Sequence, residues 1–183
     1  MAARIETPSA EGFSAFGDSV SLSGETVLVG APEDEDTGKV FVMDLAAAAR
    51  YCVGAPNSVG PSAFFGTNGT THVSHDNLLL LAAGAPAGQF GLFYYGPEAV
   101  QVPFGDGYRC VGGGATGLFR LYPPVQIDGS GAAAHALDYD NPPTPAGQIT
   151  PGSTWYFQFW YRDPAASGAG FNFSDACALS FCP

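Results

Sequence analysis

Positive charge is what this chain has least of. Six Lys and Arg stand against 17 Asp and Glu, for a net charge of −11, and Lys39 is the sole lysine. No basic patch can form, which excludes the electrostatic footprint of a nucleic-acid binder and any attraction to an anionic membrane surface. Apolar runs are short. None approaches the roughly 20 residues that span a bilayer, and residues 1–12 carry no apolar signal core. The expectation is that a leader has been removed or that the chain is a piece of a longer secreted one.

Catalytic signatures are missing too. There is no Gly-x-Ser-x-Gly elbow, no His-Glu-x-x-His, no P-loop and no Rossmann fingerprint. The three histidines are His72, His75 and His135. In a strand His72 and His75 would face opposite ways, which argues against a shared metal. Asp138, Asp140 and Asp163 could supply carboxylates for glycoside hydrolysis, but nothing in the sequence sets a second acid opposite them. The expectation is a protein that is not an enzyme and requires no cofactor.

What the chain has is turns and aromatics. It holds 25 Gly and 15 Pro, and aromatic residues make up 13% against 13% charged. Turn-dense, helix-poor composition of this kind predicts an all-β fold. Residues 1–12 read as a flexible arm. In residues 13–45, Ser19–Ser23 alternates as a half-buried strand should, followed by strands at Thr26–Val29 and Lys39–Met43. This is a three-stranded meander, below the size of a self-sufficient core. Residues 46–50 read as a linker. Residues 51–183 predict eight or nine short strands punctuated by turn signals, at 63–67, 77–83, 90–95, 98–103, 107–111, 117–122, 133–139, 153–162 and 171–181. That spacing predicts a β-sandwich or jelly roll. In the strongest strand, Trp155, Phe157, Phe159 and Tyr161 share one face, the expected core. Tyr156, Gln158, Trp160 and Arg162 share the other, a mixed face suited to a partly covered surface.

Four cysteines, Cys52, Cys110, Cys177 and Cys182, contain no C-x-x-C pair and suggest disulfides formed in an oxidising compartment. If 171–182 is one regular strand, Cys177 and Cys182 lie about 16 Å apart at roughly 3.3 Å per residue, too far to bridge. Two full pairings survive: Cys52–Cys182 with Cys110–Cys177, which ties the ends of the domain and is preferred, or Cys52–Cys177 with Cys110–Cys182.

Phe16-Gly17, the strand alternation behind it, Gly30-Ala31-Pro32 and the acidic run Glu33-Asp34-Glu35-Asp36-Thr37-Gly38 resemble the FG-GAP repeat, one blade of an integrin-type propeller. Blades of that family often carry a calcium loop of alternating carboxylates closed by Gly. Asp34 and Asp36 ahead of Gly38 are the matching residues, so the resemblance implies a possible Ca²⁺ ligand pair, with a solvated acidic loop as the alternative. The loop is short, and Gly38 stands where a third carboxylate would be. A second Phe-Gly and Gly-Ala-Pro, at Phe65-Gly66 and Gly84-Ala85-Pro86, lacks the acids behind it and reads as a turn.

The second unit is similar to the C-terminal β-sandwich domains of secreted bacterial proteins that follow FG-GAP repeats. The similarity is carried by Tyr51-Cys52, the Gly88–Gly96 run, Pro103–Gly107, Cys110–Gly113, Pro151–Trp155, Trp160–Pro164 and Asn172–Ala176. It implies an extracellular location. It also implies a Cys52–Cys110 bridge, in conflict with the preferred pairing above.

Two functions follow as expectations. One is a structural or adhesion protein, extracellular or at the cell surface. A single blade cannot close a propeller, and its strand edges and apolar residues Val20, Leu22, Val27, Val29, Val40 and Val42 would associate with other copies of the chain or other extracellular proteins, as a ring or filament. The other is a carbohydrate-binding module, with Tyr94, Tyr95 and Trp160, and also Tyr108 and Tyr161, as candidate sugar platforms.

Overall fold

The computed structural model describes residues 19–23, 26–31, 39–44 and 49–183, in two compact units, Met1–Ala46 and Ala47–Pro183. The expected flexible arm 1–12 and the acidic loop with Asp34 and Asp36 lie outside the described residues.

The first unit is an antiparallel sheet of β1 (Ser19–Ser23), β2 (Thr26–Ala31) and β3 (Lys39–Asp44), in that order. Val20 pairs with Val29 and Leu22 with Val27, while across the second ladder Val29 pairs with Phe41 and Val27 with Met43. Val40 and Val42 instead pair with Gly30 and Leu28.

The second unit is built on a central antiparallel sheet ordered β10-β7-β13-β14-β4, with β11 also pairing β7. Its strands are β4 (Ala49–Cys52), β7 (Phe90–Gly96), β10 (Phe119–Arg120), β11 (Val125–Gln126), β13 (Thr154–Arg162) and β14 (Phe171–Ser180). Ala49 and Arg50 are thus strand residues, and Arg50 is not a linker.

A three-stranded sheet, β12 (Ala133–Ala136), β6 (Leu79–Ala83) and β5 (Phe64–Asn68), packs on one face of the central sheet. Phe157 and Phe159 on β13 stand opposite Tyr95 and Phe93 on β7, and Phe157 stands opposite Cys177 on β14. These rings meet Phe65, Leu80 and Ala82 in the main core. Phe93 and Phe159 lie 4.5 Å apart and Tyr95 stacks on Phe157 at 5.1 Å, spacings at which aromatic pairs add to plain area burial. The face expected from alternation in 153–162 is the face that is buried. Gly91 is glycine because a Cβ there would collide with the Phe159 ring.

The edge of the smaller sheet is closed by an ion pair. Arg50 bonds to Asp175, the Phe65 amide donates to Asp175 Oδ1, and Arg50 Nη2 donates to the Phe65 carbonyl. Both outward backbone groups of Phe65 are satisfied, which an edge strand otherwise leaves open.

Burial also sets the titration of the core. It pushes the phenols of Tyr95, Tyr139 and Tyr161 up to about 12 each. A folded-state value above the unfolded one of about 10 means that the native state holds these protons longer, so their contribution is complete below pH 10 and is lost as pH rises toward 12. Denaturant midpoints should therefore fall steeply between about pH 10 and 12, with tyrosinate absorbance at these sites appearing only as the chain unfolds. Free ionisation of all eight tyrosines near pH 10 in the folded protein would contradict this.

Candidate functional site

The other face of the central sheet carries Leu92 and Tyr94 from β7, Gln158 and Trp160 from β13, and Phe173 and Ala176 from β14, related by the ladder pairs Trp160–Leu92, Gln158–Tyr94, Gln158–Ala176 and Trp160–Phe173. A hairpin of β8 (Glu98–Phe104) and β9 (Gly107–Gly112) covers part of this face. Gly96 admits it, since a Cβ there would strike the Gly112 carbonyl.

Gln158 fastens the hairpin. It is fully buried, and all four of its hydrogen-bonding positions are used. Oε1 accepts from the Tyr94 hydroxyl and from the Cys110 amide at 2.9 Å. Nε2 donates to the Tyr108 carbonyl at 2.9 Å and the Ser174 carbonyl at 2.8 Å. A buried amide satisfied in this way fixes register as well as distance.

The Cys52–Cys110 disulfide adds a covalent tie between β4 and β9, with Cα atoms 6.2 Å apart. Closing a loop of 58 residues in the unfolded chain is worth about 4 kcal/mol in the loop-entropy picture. The preferred pairing of Cys52 with Cys182 and Cys110 with Cys177 is corrected, and so is Cys52–Cys177 with Cys110–Cys182: Cys177 and Cys182 are free thiols. Strand alternation is the reason. Cys52 stands opposite Ala176, on the hairpin side, whereas Cys177 belongs to the main core on the other side of the sheet. Burial raises the Cys177 thiol above its ordinary range, and Arg50 partly offsets this.

Where the hairpin ends, the face opens into a cleft of about 480 Å³. Tyr94, Trp160, Leu92 and Phe173 form its floor, with Phe104 and Tyr122 at its rim, 53% and 67% exposed. Two cations border it. Arg120 stands directly opposite Tyr94 in the β10–β7 ladder, and Arg109 comes from β9 in the overlying hairpin. Burial holds the Tyr94 phenol well above its usual range, with Tyr51 adding to that and both arginines pulling against it. No Asp or Glu lines the cleft.

The structure thus brings Tyr94 and Trp160 into one concave site and separates them from Tyr95, whose ring lies in the main core with its hydroxyl donating to the Gly147 carbonyl at 2.6 Å. Tyr95 is therefore corrected as a sugar platform. Tyr161 is likewise in the core, and Tyr108 packs by the disulfide. Period-two alternation separates Tyr94 from Tyr95, and that signal was present in the sequence. Nothing local marks the arginines, because their meeting at Tyr94 depends on the pairing of β10 and on the hairpin fold.

Elsewhere, His72 and His75 are not in a regular strand, so the opposite facing that a strand would impose does not arise. They flank and end a 3₁₀ turn, Val73–His75, whose near-eclipsed i, i+3 positions stack the rings at 5.0 Å. Among the described residues no three His, Cys, Asp or Glu side chains gather as metal ligands. No helix among them is long and apolar enough to cross a membrane.

Comparison with known proteins bears on the first unit. The family model described as the FG-GAP repeat matches residues 3–43, so the chain carries an FG-GAP repeat at its N-terminal end. No curated protein and no solved structure matches the chain.

Replacing Gln158 by Leu would strand the Tyr94 hydroxyl, the Cys110 amide and two carbonyls. A loss of about 3 kcal/mol or more in urea unfolding is expected, and a change under about 1 kcal/mol would show that the hairpin is held by other contacts.

Proposed function

We propose that the chain is a non-enzymatic, extracellular structural or adhesion protein that associates with further copies of itself through its N-terminal sheet. FG-GAP repeats occur in extracellular proteins and mediate protein interactions, which supports both the location and the kind of role. The similarity of residues 51–183 to sandwich domains of secreted bacterial proteins belongs to the same proposal.

The observation that carries self-association is the pairing of the small sheet. Among the described residues, β1 and β3 each pair with β2 alone. Unpaired amides and carbonyls along a strand edge are a template for another strand. Val20 on β1 is 61% exposed. A contact between one copy's edge and a different surface of the next is heterologous, and closes as a ring or extends as a filament. Ca²⁺ bound by Asp34 and Asp36 would draw their carboxylates onto one ion within this unit. Light scattering over a concentration series should give masses above the 18.8 kDa of one chain, with Val20→Lys shifting the distribution toward monomer. A monomer at every concentration would overturn the proposal.

A second reading, carbohydrate binding, is favoured by the cleft, in which Tyr94 and Trp160 share a concave aromatic floor. On a glycan array the native chain should give hits that Trp160→Ala loses; an array without hits removes this reading.

A further inference from the structure

We infer that the cleft on the outer face of the central sheet selects an anionic sugar, its carboxylate or sulfate held between Arg109 and Arg120 and its ring laid against Trp160. The inference rests on the carbohydrate reading and adds the charge of the ligand.

Charge distribution is the first support. The chain carries a net charge of −11, so at range it repels anions, and an anion can be bound only where the local field is reversed. The cleft is such a place. Two of the five arginines border it, and no carboxylate lines it.

The state of those arginines is the second support. Among the described residues neither Arg109 nor Arg120 forms an ion pair or a side-chain hydrogen bond, in contrast to Arg50, which is held by Asp175. Arg109 Nε is buried without a hydrogen-bond partner. No acceptor within the described residues therefore competes with a ligand for this guanidinium. The planar guanidinium fork fits a carboxylate or sulfate with two parallel bonds.

The geometry is the third. Arg120 is fixed opposite Tyr94 by the β10–β7 ladder, and β9, which carries Arg109, is fixed by the Cys110 and Tyr108 bonds to Gln158. The two cations therefore come from separate layers onto one floor. Trp160 is half-buried there, with Phe171 6.1 Å away bracing it. An indole held in this way offers an apolar face, which suits the C–H face of a pyranose better than a flexible chain. The volume of about 480 Å³ lies in the range of small-ligand sites.

The test uses the full chain and three probes in titration calorimetry: an oligogalacturonate, its neutral methyl ester, and a sulfated galactan oligosaccharide. Binding of either anionic probe but not the ester is expected, and the two anionic arms tell carboxylate from sulfate. Arg120→Gln, an exposed site on a short edge strand, should weaken anionic binding about tenfold or more. Arg109→Lys keeps the charge but loses the fork, and should weaken it as well. Added salt should weaken anionic binding in the native chain and less so in Arg120→Gln. Equal binding of ester and acid, or an unchanged affinity in Arg120→Gln, overturns the inference while leaving the carbohydrate reading intact. Failure of all three probes together with an empty glycan array overturns both.

Discussion

The outer half of the second unit depends on the side chain of Gln158. A central sheet with large residues on both faces needs cover on both. The inner face obtains it from a second sheet, through the packing of its core and the Arg50–Asp175 pair at Phe65. The outer face is covered by a two-stranded hairpin, and two strands are marginal by themselves. Gln158 converts that hairpin into a fixed layer, because its carbonyl and amide ends hold β9 at Cys110 and Tyr108 while also holding Tyr94 and Ser174 of the sheet below. The bonds are made at a site that water does not reach, where an unmade bond would cost more than at the surface. The disulfide at Cys110 acts on the same strand from the neighbouring position across β4. The polar tie sets register, and the covalent tie limits the unfolded chain.

The cleft follows from the incompleteness of that cover. β8 and β9 reach over Gln158 and Ala176 but leave Trp160 half-buried beside the buried rings of Tyr94 and Phe173, and the chain after β9 returns through β10 to line the opening with Arg120 and Tyr122. A face buried completely would hold no ligand, and a face wholly open would offer a flat aromatic surface. The same Gln158 bond that orders β9 also engages the Tyr94 hydroxyl, so what Tyr94 presents to the cleft is ring rather than phenol.

Much of this was legible in the sequence, and the reasons are local. Alternation in Thr154–Arg162 separated a core face from a mixed one, and the mixed face is the one that is partly covered. Strands at 90–95, 98–103 and 107–111 were marked by turn residues that hold regardless of tertiary context. Three things were not legible. β4 and β11 are short strands recruited by partners distant in sequence, Ala176–Ala178 and Phe90–Gly91, so no local pattern announces them. The Cys52–Cys110 bridge was implied by the resemblance but not found from the residues alone, because it depends on which side of β14 each cysteine faces, and Cys177 is sent inward by the single-residue difference from Ala176. The stacking of His72 and His75 depends on a 3₁₀ turn between two expected strands, which no local pattern announces. In the first unit, all three strands were legible from alternation and turn residues.

Charge scarcity gives the arginines their meaning. In a chain rich in Lys and Arg, two cations beside an aromatic floor would be unremarked surface. Here there are six basic residues in all, and those within the second unit have separable settings. Arg50 closes the edge at Phe65 through Asp175, whereas Arg109 and Arg120 converge on Tyr94 from different layers. The first arrangement is explained by backbone groups that would otherwise be unpaired. The second satisfies no backbone group and closes no edge among the described residues, and it places positive charge beside an aromatic floor. Stability alone does not favour two cations beside an aromatic floor in a cleft that no Asp or Glu lines. A ligand that brings its own negative charge would give them a counter-ion.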